Sequence, residues 1–247
     1  MLRKRSTWLY GDMVGGVPVT ADITAFPVDG LVTVKKFPSR KNHVYLVRRN
    51  DEHFILKIFS SDRSENEYRV LQDAYNAGIP VPRPVAQSDR SILMEYVEGR
   101  TVNDLVDEGA GAEPVMGVAS WLARFHRTFL RNGGEVTLKS DAIFKNFIVA
   151  DRIYGIDFEL SRPGRPEEDV GETISFLLDT YPMFTDEKYK LAFAFINRYQ
   201  EESGIVLQDV ESSIAKSLIE AAQFRPGQQE LIYRKAKDLI VLKPFSR

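Results

Sequence analysis

The spacing of hydrophobic positions changes character near residue 99. Before it, short runs of β-branched and aromatic residues predict strands at Leu31 to Phe37, Val44 to Arg49, Phe54 to Phe59 and Ser91 to Val97. Asn50-Asp51-Glu52 is the expected turn between the second and third. One helix interrupts them. Ser64 is its expected N-cap, Glu67 the capping-box partner three residues on, and Tyr68, Leu71 and Tyr75 mark one face. It is expected to stop at Ala77-Gly78, and Pro80, Pro82 and Pro84 keep it from resuming. Beyond Gly99 the period becomes helical: Val115, Val118, Ala119, Leu122, Phe125 and Phe129 predict a helix over 114–130. Further helices are expected over 171–179, 186–202, 209–222 and 228–241. Strands early and helices late describe an α+β fold with segregated layers. The expected division is a β-rich lobe, 1–97, and a helical lobe, 98–247. The pattern does not place residues 1–30, although Trp8-Leu9-Tyr10 and Val17 to Ile23 are strand candidates.

One stretch of the helical lobe is not helical. Phe147 to Ala150 and Ile153 to Ile156 flank the polar pair Asp151-Arg152, the pattern of a tight antiparallel hairpin. Pairing Ala150 with Ile153 sets Asn146 opposite Asp157, roughly 4.5–5.5 Å apart at Cβ. Two such oxygen ligands suit Mg²⁺, which takes few protein ligands and completes its shell with phosphate. Asp141 falls on the loop leading into the same place. Other polar residues have two readings each. Lys57 interrupts an apolar strand, so it either points to solvent or reaches nucleotide phosphates. Glu67 either caps its helix or pairs with Lys57. His126 reads as a core or helix-end histidine.

Composition narrows the class. The 247 residues are enough for a substantial core. A net charge of −2 argues against a dedicated nucleic-acid binder, although residues 1–50 carry nine Lys or Arg against three Asp. Binding of nucleic acid through that basic segment would weaken steeply with salt. The absence of cysteine excludes disulfides and thiolate metal sites and fits a reducing, cytoplasmic setting. No apolar run approaches the ~18 residues of a membrane span. Met1 to Arg5 is basic but leads into no apolar segment, so no signal peptide is expected.

The spacing Asp141-x-x-x-x-Asn146, followed by Asp157-Phe158-Glu159 at a strand end, resembles the catalytic loop and metal-binding D-F-G of protein kinases. With Lys57 on a strand, Glu67 on the next helix and Met94-Glu95-Tyr96-Val97 at the hinge position, residues 31–180 resemble the protein-kinase-like superfamily. Gly78-Ile79-Pro80-Val81-Pro82 and Leu122-Ala123-Arg124-Phe125-His126 are similar to segments of its small atypical members: RIO kinases, the KEOPS-complex kinase and the aminoglycoside-phosphotransferase group. The resemblance implies a two-lobed fold with ATP and Mg²⁺ as cofactors. Asp141 would orient or deprotonate a hydroxyl acceptor, with Lys145 helping to neutralise charge. Asn146 and Asp157 would hold the metal. Lys57, set by Glu67, would hold phosphates, with Arg40 and Lys41 assisting from the preceding loop. Backbone groups of Glu95 and Val97 would bind adenine, with Met94 behind it.

The acceptor is either a small molecule or a protein Ser/Thr, and the extra helical mass after residue 171 leans towards the former. Partners beyond nucleotide and acceptor include a larger protein complex. Three departures support an alternative, a pseudokinase scaffold. Lys139-Ser140 precede Asp141 where relatives carry His, Glu159 replaces a glycine, and the loop Phe37 to His43 contains no glycine.

Overall fold

The computed structural model describes residues 28–245, so the strand candidates at 8–10 and 17–23 lie outside the described residues. Antiparallel strands β1 (Val32–Phe37), β2 (His43–Arg49) and β3 (Glu52–Ile58) form a meander. β4 (Pro84–Ser88) and β5 (Ser91–Glu95) complete a sheet of order β1-β2-β3-β5-β4. β4 was not expected from the proline-rich sequence, but Pro84 stands first on an edge strand, where a missing N–H costs nothing. Along β3, side chains alternate between faces. Phe54 and Leu56 join Tyr45, Val47 and Leu93 in a small core on one face. Lys57 shares the other face with Ile55, beneath helix α1 (Ser64–Asn76).

The capping box expected for α1 does not form. The residue before the helix, Arg63, makes no side-chain cap bond, and Ser64 Oγ instead donates to the Asp89 carbonyl at 2.8 Å. Glu67 is buried beneath the sheet and turned to Lys57. A buried ammonium binds a carboxylate more strongly than one backbone N–H does.

The helical lobe opens with β6 (Arg100–Thr101) and α2 (Val102–Asp107), where Thr101 caps the Asp104 N–H at 3.1 Å. Then follow α3 (Glu113–Thr128), β7 (Val136–Leu138), β8 (Phe147–Val149), β9 (Ile153–Gly155) and β10 (Arg162–Gly164). The chain ends in α4 (Pro166–Asp179), α5 (Asp186–Ser203), α6 (Val210–Ala222) and α7 (Gln229–Leu242). α4 starts earlier than expected because Pro166 at its first turn presets the helical φ. The short elements β6, α2, β7 and β10 span too few residues to show a period. Trp121 of α3 stacks on Phe125 at 4.9 Å and meets the edge of Phe147 at 5.3 Å. A Cβ on Gly155 would lie 2.4 Å from the Trp121 ring, so only glycine lets β9 cross there. α4 and α6 approach as closely at Gly171, where a Cβ would sit 2.7 Å from that of Ser213.

The hairpin register differs by one from the expectation. Val149 pairs with Ile153 and Phe147 with Gly155, so the loop holds Ala150, Asp151 and Arg152. Asn146 consequently stands opposite Ile156, whose N–H donates to the Asn146 carbonyl at 3.0 Å, rather than opposite Asp157. A three-residue loop is a common hairpin closure.

Candidate active site

The site lies where the two lobes meet. Lys57 Nζ, on β3, is 2.6 Å from Glu67 Oε2 on α1 and 2.8 Å from Asp157 Oδ1, which follows β9. Of the two readings for Glu67 the structure takes the pairing, and Lys57, being buried, does not point to solvent. Burial pushes the Glu67 carboxyl up to about 7, and the Lys57 ammonium only partly offsets this. Burial alone would lower Lys57, but the Glu67 and Asp157 carboxylates outweigh it and hold the ammonium above its ordinary range. Asp157 would likewise be raised by burial, but Lys57 and Lys139 keep it below the usual carboxylate value. It is therefore ionised at neutral pH, and its side chain remains 36% exposed.

Asp141 and Asn146 come together through the turn Phe144–Asn146. Asn146 Nδ2 donates to both the carbonyl and the carboxylate of Asp141, each at 2.9 Å. Its Oδ1, the atom a metal would take, makes no hydrogen bond among the described residues. Asp157 thus offers an ionised carboxylate and Asn146 an unengaged amide oxygen, both kinds of ligand that Mg²⁺ accepts. Ser140, Asp141 and Asp157 adopt left-handed backbone (φ 56°, 48° and 63°), which is sparsely populated outside glycine and gathers at functional sites.

The loop is held from below by residues that the sequence did not single out for this role. Asp169 of α4 accepts the Lys139 N–H at 2.6 Å and the Ser140 N–H at 2.9 Å. It also meets His126 Nε2 at 3.0 Å, while His126 Nδ1 meets the Tyr199 hydroxyl at 2.8 Å. His126 is thus a buried positioning residue on the last turn of α3. Within the sequence, Asp169 is one of three acids in the first turn of a helix, a common feature. Lys139 is fully buried, its Nζ 3.4 Å from the Asp157 carbonyl and 3.5 Å from that of Asp141, between the rings of Phe147 and Phe158. Burial lowers its pKa, and Asp157 and Asp141 partly restore it.

Beside Asp141 is a cavity of about 480 Å³ between α4 and α6, lined by Ser140, Glu168, Glu172 and Lys216 among others. Glu172 accepts the Ala142 N–H at 2.7 Å, and burial raises its carboxyl to about 7.

The remaining expected site residues are less engaged. Lys145 is exposed, as are Arg40 and Lys41 on the β1–β2 loop. Met94 is buried. The Glu95 N–H already donates to the Arg83 carbonyl at 2.9 Å, so of its two backbone groups only the carbonyl remains a candidate for adenine. Val97 borders the core just beyond β5.

Comparison with known proteins agrees with this architecture. The model of the "Phosphotransferase enzyme family" matches residues 33–136. The EKC/KEOPS complex subunit BUD32 of Encephalitozoon cuniculi is 30% identical over 57% of this chain and 64% of its own length. A probable bifunctional tRNA threonylcarbamoyladenosine biosynthesis protein of Methanocorpusculum labreanum is 30% identical over 63% of this chain but only 27% of its own. The chain thus spans less than two thirds of the length of these curated relatives. Among solved structures, an amicoumacin kinase in complex with AMP-PNP, Ca²⁺ and Ami superposes with a TM-score of 0.62. That match has 14% identity and covers 88% of this chain and 90% of the other. A β-rich lobe over a helical lobe, with an acidic and amide-bearing loop between them, defines the architecture of two-lobed kinases. In sequence and in fold the chain resembles the protein-kinase-like superfamily.

Proposed function

We propose that the chain is an ATP-dependent phosphotransferase acting on a hydroxyl group, with Mg²⁺ as the metal. The observation that carries this reading is the convergence of Lys57, Glu67, Asp141, Asn146 and Asp157, from four separate segments, on one cleft. Phosphoryl transfer needs mainly positioning and charge neutralisation, which this set can provide. Lys57, fixed by Glu67, holds the nucleotide phosphates. Asn146 and Asp157 hold the metal, which neutralises charge on the β- and γ-phosphates when bound. Asp141 faces the cavity and orients the acceptor hydroxyl or takes its proton. The Glu95 carbonyl and Val97 backbone bind adenine, with Met94 behind. Lys145, Arg40 and Lys41 act only as exposed auxiliary cations.

The cavity between α4 and α6 favours a small-molecule acceptor over a protein Ser/Thr, because it leaves room for such a molecule next to Asp141. The KEOPS subunit among the relatives supports a protein complex as partner. The alternative, a scaffold without turnover, is favoured by one observation: Glu159 stands 3.8 Å from Lys57.

The test is Mg²⁺-dependent release or transfer of the labelled γ-phosphate of ATP, first to water and then to a panel of small hydroxyl compounds. Asp141→Asn should lower the rate about 100-fold or more, the contribution typical of a positioned base. A wild-type protein that binds Mg²⁺-ATP without any turnover would leave the scaffold as the better reading.

A further inference from the structure

Two departures from the kinase-like pattern, the glycine-free loop after β1 and the acid following Asp157-Phe158, meet in space. Asn42, buried in that loop, donates Nδ2 to Glu159 Oε2 at 2.6 Å. Its other groups are also fixed: Oδ1 accepts the Ser60 N–H at 3.2 Å, and its own N–H reaches Ser39 Oγ at 3.4 Å. The bridge therefore joins the β-rich lobe to the helical lobe. Asn66 of α1 reinforces it, donating to the Ser161 carbonyl at 2.9 Å and the Glu159 carbonyl at 3.4 Å.

The same Glu159 oxygen lies 3.8 Å from Lys57 Nζ, and its side chain is only 10% exposed. Lys57 thus faces three carboxylates. Glu67 is buried behind it and Asp157 belongs to the proposed metal pair, whereas Glu159 adds a third negative charge 3.8 Å from the ammonium that a phosphate would need. Carboxylate oxygens of Glu67, Asp157 and Glu159 fall within 4.8 Å of one another, the spacing of a cation site. Lys57 Nζ already lies within 3.8 Å of an oxygen from each. An incoming phosphate must displace Glu159 or share the ammonium with a like charge.

We propose that Glu159 sets the nucleotide affinity of this site: clamped by Asn42, it latches the β1–β2 loop over Lys57 and must move before phosphate can bind. The proposal rests on the phosphotransferase reading and adds a built-in competitor to it. Glycine is then dispensable in the loop, because the Asn42 side chain, not close backbone approach, fixes the closed position.

The test is calorimetric titration of the full chain with ATP, with Mg²⁺ and with EDTA, for wild type, Glu159→Gln and Asn42→Ala. Removing the competing charge should tighten ATP binding about tenfold, equivalent to ~1.4 kcal/mol. The gain should persist in EDTA, since the contest is over Lys57. Asn42→Ala keeps the charge but frees the Glu159 side chain, and should tighten binding about threefold even though the lost charge-assisted bond lowers the melting temperature by several degrees. Weaker binding of Glu159→Gln confined to Mg²⁺ would make Glu159 a metal ligand and overturn the proposal. Unchanged binding in both variants would overturn it too, with the phosphotransferase reading intact. Absence of ATP binding in all three proteins would refute that reading, and the latch with it.

Discussion

Asp169→Asn tests how the catalytic loop is held. Each carboxylate oxygen of Asp169 takes one backbone N–H: Oδ2 that of Lys139 at 2.6 Å, Oδ1 that of Ser140 at 2.9 Å. An asparagine of the same shape accepts at one oxygen only and turns an NH₂ group towards the other N–H. Asp169 is 1% exposed, so water does not relieve the mismatch. An unsatisfied buried donor costs about 1–3 kcal/mol, and losing a hydrogen bond to a charged group about 1.5–3. Together these give roughly 2.5–6 kcal/mol. At about 2–4 °C per kcal/mol for a chain of this size, the melting temperature should fall by roughly 5–24 °C. Thermal unfolding by circular dichroism measures the loss, and hydrogen exchange at the Lys139 and Ser140 amides localises it. Asp151→Asn is the control: this acid is exposed in the β8–β9 loop beside Arg152, and its removal should leave the melting temperature unchanged. A fall of less than about 2 °C for Asp169→Asn, with both amides exchanging as in wild type, would refute the reasoning.

Further outcomes follow from the same geometry. Glu172 has its carboxyl raised by burial from 4.5 to about 7, so between those values the folded state keeps a proton that the unfolded chain has released. Its contribution to stability is therefore complete at low pH and lost as pH rises towards neutrality. Glu172→Gln mimics the protonated form and should flatten the fall in melting temperature between about pH 5 and 7.5; parallel profiles for the two proteins would contradict this. Flattening should be partial, because Glu67 is raised to about 7 by burial and acts in the same direction. Gly171→Ala places a methyl against the Ser213 backbone at 2.8 Å and should cost about 1–3 kcal/mol of stability in a denaturant titration. An unchanged midpoint would mean that α4 and α6 do not pack as closely as described.

The fold class was readable because its major elements carry clear periods: alternation in β2 and β3, and helical spacing in α3 and α5 to α7. Lys57 stood out as a lone charge in an apolar strand and Asp141, Asn146 and Asp157 through their spacing, and the structure joins Lys57 to Asp157 and Asn146 to Asp141, whatever role each plays. The detail escaped for physical reasons. A hairpin loop of two residues and one of three have the same polar appearance, which is why Asn146 was set opposite Asp157 instead of Ile156. Glu67 satisfies a capping-box pattern, and only the burial of Lys57 beneath α1 decides between the two uses. Asp169, Glu172 and Asn42 act across 29 or more residues of sequence, on Ser140, Ala142 and Glu159. No local pattern marks such contacts. Gly171 and Gly155 are likewise explained only by what crosses them.

The most direct test of the central claim is thermal unfolding of the full chain with and without Mg²⁺-ATP, for wild type and Asp157→Asn. A ligand at about 100 times its dissociation constant stabilises by roughly 2.7 kcal/mol. For a chain of this size that is about 5–10 °C. A shift of that order is expected in the wild type, dependent on Mg²⁺ and lost in the variant. No shift at millimolar Mg²⁺-ATP, or the same shift in both proteins, would contradict it.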